Sequence, residues 1–133
     1  GFSYGWTNTA YAAVIFTAGQ DETLRRVEFE TSKPNSTYEI KVFSTWNGPA
    51  AAPSNQLGVT KTGSFSHSGF YSVELDTPIT LPSGGSFVVQ VKTSTPGGDS
   101  YGFYFDGNHL PGPAGVSFVS NNGASWSDTA TFQ

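Results

Sequence analysis

Trp46-Asn47-Gly48-Pro49 sets an indole at the end of a predicted strand, beside an Asn-Gly turn. Further on, Tyr101 to Phe105 alternate around Tyr104 and lead into Asp106-Gly107-Asn108-His109. If Tyr101, Phe103 and Phe105 point inward, period two sends Tyr104 outward and leaves Asp106, Asn108 and His109 in the following loop. Rings next to amides and carboxylates suit a sugar. The aromatic face stacks on the apolar C–H patch of a pyranose, and the sugar's hydroxyls need paired donors and acceptors, which Asn and Asp supply. The expected ligand contacts are therefore Trp46, Asn47, Tyr104, Asp106, Asn108 and His109. A plainer reading stays open beside this one, in which Trp46 covers a sheet edge, Asp106-Gly107-Asn108 is only a turn and a lone His109 is a surface residue.

Bond-making chemistry has little support. Glycoside hydrolysis needs two carboxylates about 5 to 10 Å apart across a cleft. Most of the ten acidic residues fall on predicted outer strand faces or in turns. Two His among many Ser and Asp allow a triad on paper, which gives it no weight. There is no phosphate-cradling Gly loop and no dinucleotide fingerprint. With no Cys, thiolate zinc sites, a Cys nucleophile and a disulfide framework are excluded together. No cofactor is expected. Asp99, Asp106, Asn108 and Asp128 offer hard oxygens for a structural calcium ion, though no segment has EF-hand spacing. Asn35-Ser36-Thr37 fits an N-glycosylation acceptor in a loop. The chain is read as a non-enzyme.

The composition explains why rings draw attention. Three Trp, six Tyr and eleven Phe stand against six basic and ten acidic residues in 133. At 12% charged the chain lies well below the roughly one quarter of an average soluble domain. Each ring buries about 150 to 250 Å² when it goes inside, so the surplus implies either a second buried layer or a binding surface. The net charge is −4, and the one dense basic spot, Arg25-Arg26, is outweighed by Asp21, Glu22, Glu28 and Glu30. No nucleic-acid partner is expected on that ground. No apolar run approaches the 18 residues or so of a membrane span, and no membrane insertion is expected. The chain reads as one domain, residues 1–133, excised from something longer.

The elements that must position these residues are strands. Ala12 to Thr17 is apolar on both faces, as in a buried strand. Val27 and Phe29 alternate with Arg26, Glu28 and Glu30, and Tyr38, Ile40 and Val42 alternate with Glu39 and Lys41, across a turn at Lys33-Pro34-Asn35-Ser36. Residues 25 to 43 are thus expected to form a β-hairpin. Residues 48 to 54 read as a loop. Further strands are expected at Tyr71 to Leu75, at a short Ile79 to Leu81, at Phe87 to Lys92, at Tyr101 to Phe105 and at Val116 to Ser120. Eight or nine short strands with regular turns predict an all-β, antiparallel two-sheet sandwich, jelly-roll-like in topology.

Four blocks also carry a resemblance. Asp21-Glu22-Thr23-Leu24 leads into Val27-Glu28-Phe29 and then Tyr38-Glu39-Ile40-Lys41-Val42. Gly69-Phe70-Tyr71-Ser72-Val73-Glu74-Leu75, Phe87-Val88-Val89-Gln90-Val91-Lys92, and Ser117-Phe118-Val119-Ser120 with Ser125-Trp126-Ser127-Asp128 follow in order. Together, from Gly5-Trp6 to Asp128, they resemble a lectin-like domain family found beside papain-like cysteine peptidase domains in secreted and cell-surface proteins of bacteria and archaea. The resemblance implies a non-catalytic β-sandwich module of a secreted or cell-surface protein. It also places Trp6 and Trp126 in blocks where each would plug an end of the sandwich. Val14 departs from the family pattern, which has Asn there.

Two functions are thereby expected, in different classes. One is carbohydrate binding through exposed aromatics and Asn/Asp loops, the partner being a glycan or a cell-wall or extracellular polysaccharide. The other is a structural module that packs against a neighbouring domain of the same polypeptide, or spaces it, with no sugar bound.

Overall fold

Alternation in the sequence becomes ten strands in a computed structural model, which describes residues 2–4, 9–31, 34–94, 103–105, 117–120 and 122–128. The strands are β1 (Phe2–Tyr4), β2 (Thr9–Thr17), β3 (Glu22–Thr31), β4 (Ser36–Thr45), β5 (Ser54–Phe65), β6 (Gly69–Leu81), β7 (Ser86–Ser94), β8 (Phe103–Phe105), β9 (Ser117–Ser120) and β10 (Ser127–Asp128). They form a four-stranded sheet in the order β1-β8-β3-β6 and a six-stranded sheet in the order β10-β9-β2-β7-β4-β5. Every pairing among the described residues is antiparallel. Successive strands change sheets except at β4–β5 and β9–β10, the wrapping of a jelly-roll-like sandwich.

The core between the sheets takes the inward residues of both. Phe29, Val73, Leu75, Ile79 and Leu81 come from the four-stranded sheet, and Ile40, Val42, Phe87 and Val91 from the six-stranded one. Phe29, Ile40, Val42 and Leu81 are each 1% exposed, and burying such side chains contributes about 1.5 to 3 kcal/mol apiece. One end of this core is aromatic. The Phe65 and Tyr71 rings stack at 3.6 Å between centroids, Tyr38 stacks on Phe65 at 4.8 Å, and Phe29 meets Tyr38 at 5.9 Å.

Three expectations need correction. The strands of residues 25 to 43 exist, but they are not a hairpin: β3 pairs with β6 and β8, whereas β4 pairs with β5 and β7. The connection crosses between sheets, so Phe29 and Tyr38 meet edge-on across the core rather than side by side on one sheet. Strand β5 was not foreseen, because Ser54 to Phe65 is polar and lacks clean alternation. The short segment at Ile79 and Leu81 is the end of β6, a single strand of 13 residues.

Both β5 and β6 are edge strands among the described residues, and both are bulged. Ile40 faces Lys61 but Val42 faces Leu57, so residues 58–60 bulge out of β5, with Gly58 at φ 69°. Leu24 faces Ile79 but Arg26 faces Glu74, which throws Pro78, lacking an N–H, out of the ladder. Lys61 Nζ donates to Asp76 Oδ1 at 2.8 Å and ties the two edges together. Irregular edges of this kind resist pairing with a second chain.

Candidate functional site

The six-stranded sheet is covered on both sides. Its outward face carries a second apolar cluster of Ala13, Phe43, Val88, Phe118 and Trp126, with Tyr11, Ile15 and Trp46 packed against it. The register arranges this face in rows. Ile15, Val88 and Phe43 lie side by side on β2, β7 and β4; then Phe118, Ala13, Gln90 and Lys41; then Ser120, Tyr11, Lys92 and Glu39. Directly opposed residues share a face, so the face grades from apolar to charged along the strands.

Two loops close over the apolar end. Trp46 follows β4, and its indole Nε1–H donates to the Ala51 carbonyl at 2.8 Å. Its ring meets Phe118 edge-on at 4.7 Å and Trp126 at 5.4 Å. Trp126 N–H donates to the Pro49 carbonyl at 2.7 Å, which joins the loop after β4 to the turn before β10. That turn is built on Ser120, whose hydroxyl accepts from the Asn122 and Gly123 amides and donates to the Ser125 carbonyl. Gly123 sits against Tyr11, where a Cβ would come within 2.9 Å of the ring. The outcome is a fixed group of rings, in which Trp46 remains half-buried and Asn47 is exposed.

At the charged end, Tyr11 is the link. Its ring meets Trp126 edge-on at 6.2 Å, and Lys92 Nζ lies 5.7 Å from its centroid, within cation–π range. Lys41 and Glu39 pair at 3.1 Å. Gln90, opposite Lys41, is only 8% exposed.

The structure divides the residues singled out from sequence. Trp46 and Asn47 stand at this face. Tyr104 belongs to β8 in the other sheet, where the register sets it opposite Glu30, itself opposite the exposed Phe70. Trp46 and Tyr104 are thus on separate sheets and are not brought together. Asp106, Asn108 and His109 lie outside the described residues, as do Trp6 and Asp99. Trp126 is 7% exposed within the outer aromatic cluster, a packing role as expected, though over a sheet face. Tyr11, Gln90 and Lys92 stand at this face without any local motif that marks them as site residues. A coarser signal is the run from Ala12 to Thr17 that is apolar on both faces, which marks a strand with something packed on each side.

Among the described residues no group of three or more His, Cys, Asp or Glu could hold a metal ion, and no helix is long and apolar enough to cross a membrane. A cleft of about 200 Å³ opens between the sheets, lined by Ala12, Val14, Leu24, Val27, Val89 and Val91 among others. Val14 belongs to this mostly apolar lining, where an amide would find few partners.

Comparison with known proteins agrees with this architecture. A search of curated protein sequences found no match. A clostridial cysteine protease, Cwp84, after propeptide cleavage has a similar fold at TM-score 0.68 and 22% identity, over 98% of this chain and 33% of that one. A structure of the cysteine protease and lectin-like domains of Cwp84, described as a surface layer associated protein of Clostridium difficile, matches at TM-score 0.66 and 20% identity, over 98% and 32%. The chain thus spans about a third of the length of these structures. The family model of the lectin-like domain matches residues 1–133, and with two antiparallel sheets in the expected class, the chain belongs to the lectin-like domain family.

Proposed function

We propose that this domain is a non-catalytic accessory module of a secreted or cell-surface protein and that it binds carbohydrate on the outward face of the six-stranded sheet. The observation that carries the reading is Trp46. Its ring is held by the bond to Ala51 and by edge contacts with Phe118 and Trp126, yet stays partly exposed beside Asn47. A ring already fixed in place loses little freedom when a sugar stacks on it. The description of Cwp84 as surface layer associated supports the location, and the lack of Cys is compatible with it. Tyr104, beside Glu30 and Phe70 in the register of the other sheet, is a second, separate stacking position in this reading.

The alternative, a module that packs on a neighbouring domain, draws support from the protease and lectin-like domains that share one chain in Cwp84. It calls for an exposed apolar patch larger than about 400 Å². Among the described residues the large exposed hydrophobics are Val59 and Phe70, one on each sheet, which favours the carbohydrate reading. A glycan array separates the two. Wild type is expected to bind, Trp46→Ala to lose about three- to tenfold in affinity, the worth of one stacked ring, and Trp46→Phe to retain most of it. Equal binding by wild type and the Trp46→Ala, Tyr104→Ala double variant would sink the assignment of these rings.

A further inference from the structure

Donors without acceptors gather where the outer face turns from rings to charges. Gln90 is 8% exposed, and its amide makes no hydrogen bond among the described residues. Among the described residues the buried side-chain N and O atoms without a partner are Thr93 Oγ1 and Trp126 Nε1, so the Gln90 amide still reaches solvent and is open to a ligand. Lys92, two residues along and on the same face, has no ion pair among the described residues and rests over Tyr11. Lys41 lies directly opposite Gln90 and is paired with Glu39. Two ammonium groups therefore face one carboxylate, on a chain whose net charge is −4.

We infer that this patch binds the anionic group of an acidic sugar, a carboxylate or a phosphate. Lys92 supplies the countercharge, the Gln90 amide donates an N–H to the anion and accepts from a neighbouring hydroxyl, and Lys41 adds a second positive charge at the rim. The sugar ring then extends toward Tyr11 and the Trp46–Trp126 group, which are continuous with the patch through the Tyr11–Trp126 contact. An anion suits these donors better than a neutral hydroxyl does, because hydrogen bonds to a charged acceptor are roughly twice as strong. The inference rests on the carbohydrate-binding reading and narrows its substrate class.

The test uses the full chain on an array that carries polygalacturonate and its methyl ester, phosphomannan and neutral mannan, together with other neutral glycans. Retention of an acidic polymer over its neutral counterpart is expected, weakening as salt rises, and whether polygalacturonate or phosphomannan is held distinguishes carboxylate from phosphate. Lys92→Gln and Gln90→Leu should each weaken that binding by about tenfold. Gln90→Leu keeps the side-chain volume and removes only an amide that reaches solvent, so its melting temperature should stay close to that of wild type. Binding confined to neutral glycans leaves the carbohydrate reading standing and overturns this one. Binding to nothing on the array overturns both, and acidic binding that neither variant alters overturns the placement at Gln90 and Lys92.

Discussion

Thr93 and Gln90 are both little-exposed polar residues on β7, and they differ in the face they occupy. Thr93 is inward, 0% exposed, with an unpaired Oγ1 between the sheets; nothing from solvent reaches it. Thr93→Val should therefore stabilise the fold by about 1 kcal/mol, read as a higher denaturation midpoint in urea. Gly63 sets the opposite limit. A Cβ there would fall onto the Tyr38 ring, which would have to leave its stacking on Phe65 to make room. Gly63→Ala should cost about 1 to 3 kcal/mol as an overpacked core does, in the same urea titration. At this scale the sequence singled out Trp46, which the structure places half-buried at the outer face. It could not mark Lys92 or Gln90, because their meaning depends on Tyr11, Lys41 and Glu39, which are distant in the chain and adjacent only in the sheet.

Strands β3 and β4 show what alternation leaves undetermined. Val27 and Phe29 need a buried side, and so do Tyr38, Ile40 and Val42. A hairpin or a crossing between facing sheets satisfies both equally, and only the full set of partners chooses the crossing. Strand β5 was illegible for a related reason. An edge strand pairs on one side, tolerates polar residues and needs no alternation where it bulges. The bulge itself is testable. Gly58 has φ 69°, and a Cβ there would approach Ile79 to 2.9 Å, so Gly58→Ala should destabilise by about 1 to 2 kcal/mol, seen as a lower melting temperature. The Lys61–Asp76 bond between the two edges raises the Lys61 pKa above the usual 10.5, against the lowering effect of desolvation. A raised pKa in the folded state means a contribution complete below the unfolded value and lost as pH rises through the folded one. The melting temperatures of wild type and Lys61→Met should therefore differ at neutral pH and converge as the pH rises through the raised Lys61 pKa.

The whole molecule is a sandwich with a third layer. The six-stranded sheet holds the inter-sheet core on one face and the Trp46–Phe118–Trp126 group on the other, so β2 and β7 belong to both. Loss of either layer should release the other, and melts followed by near-ultraviolet and far-ultraviolet circular dichroism should coincide. A near-ultraviolet transition at lower temperature would show the outer layer to be a separate unit. Composition had already implied that twenty rings exceed one core, and the outer layer takes part of the excess. The sequence by itself determined the class of fold, its antiparallel strands, the family and the absence of thiol chemistry, because periodicity and residue type act locally and survive without knowledge of partners. The tertiary structure decided the sheet order, the fixing of Trp46, the separation of Trp46 from Tyr104 and the meeting of Lys41, Gln90 and Lys92. Each of those depends on contacts between residues far apart in the chain, which no single segment's pattern encodes.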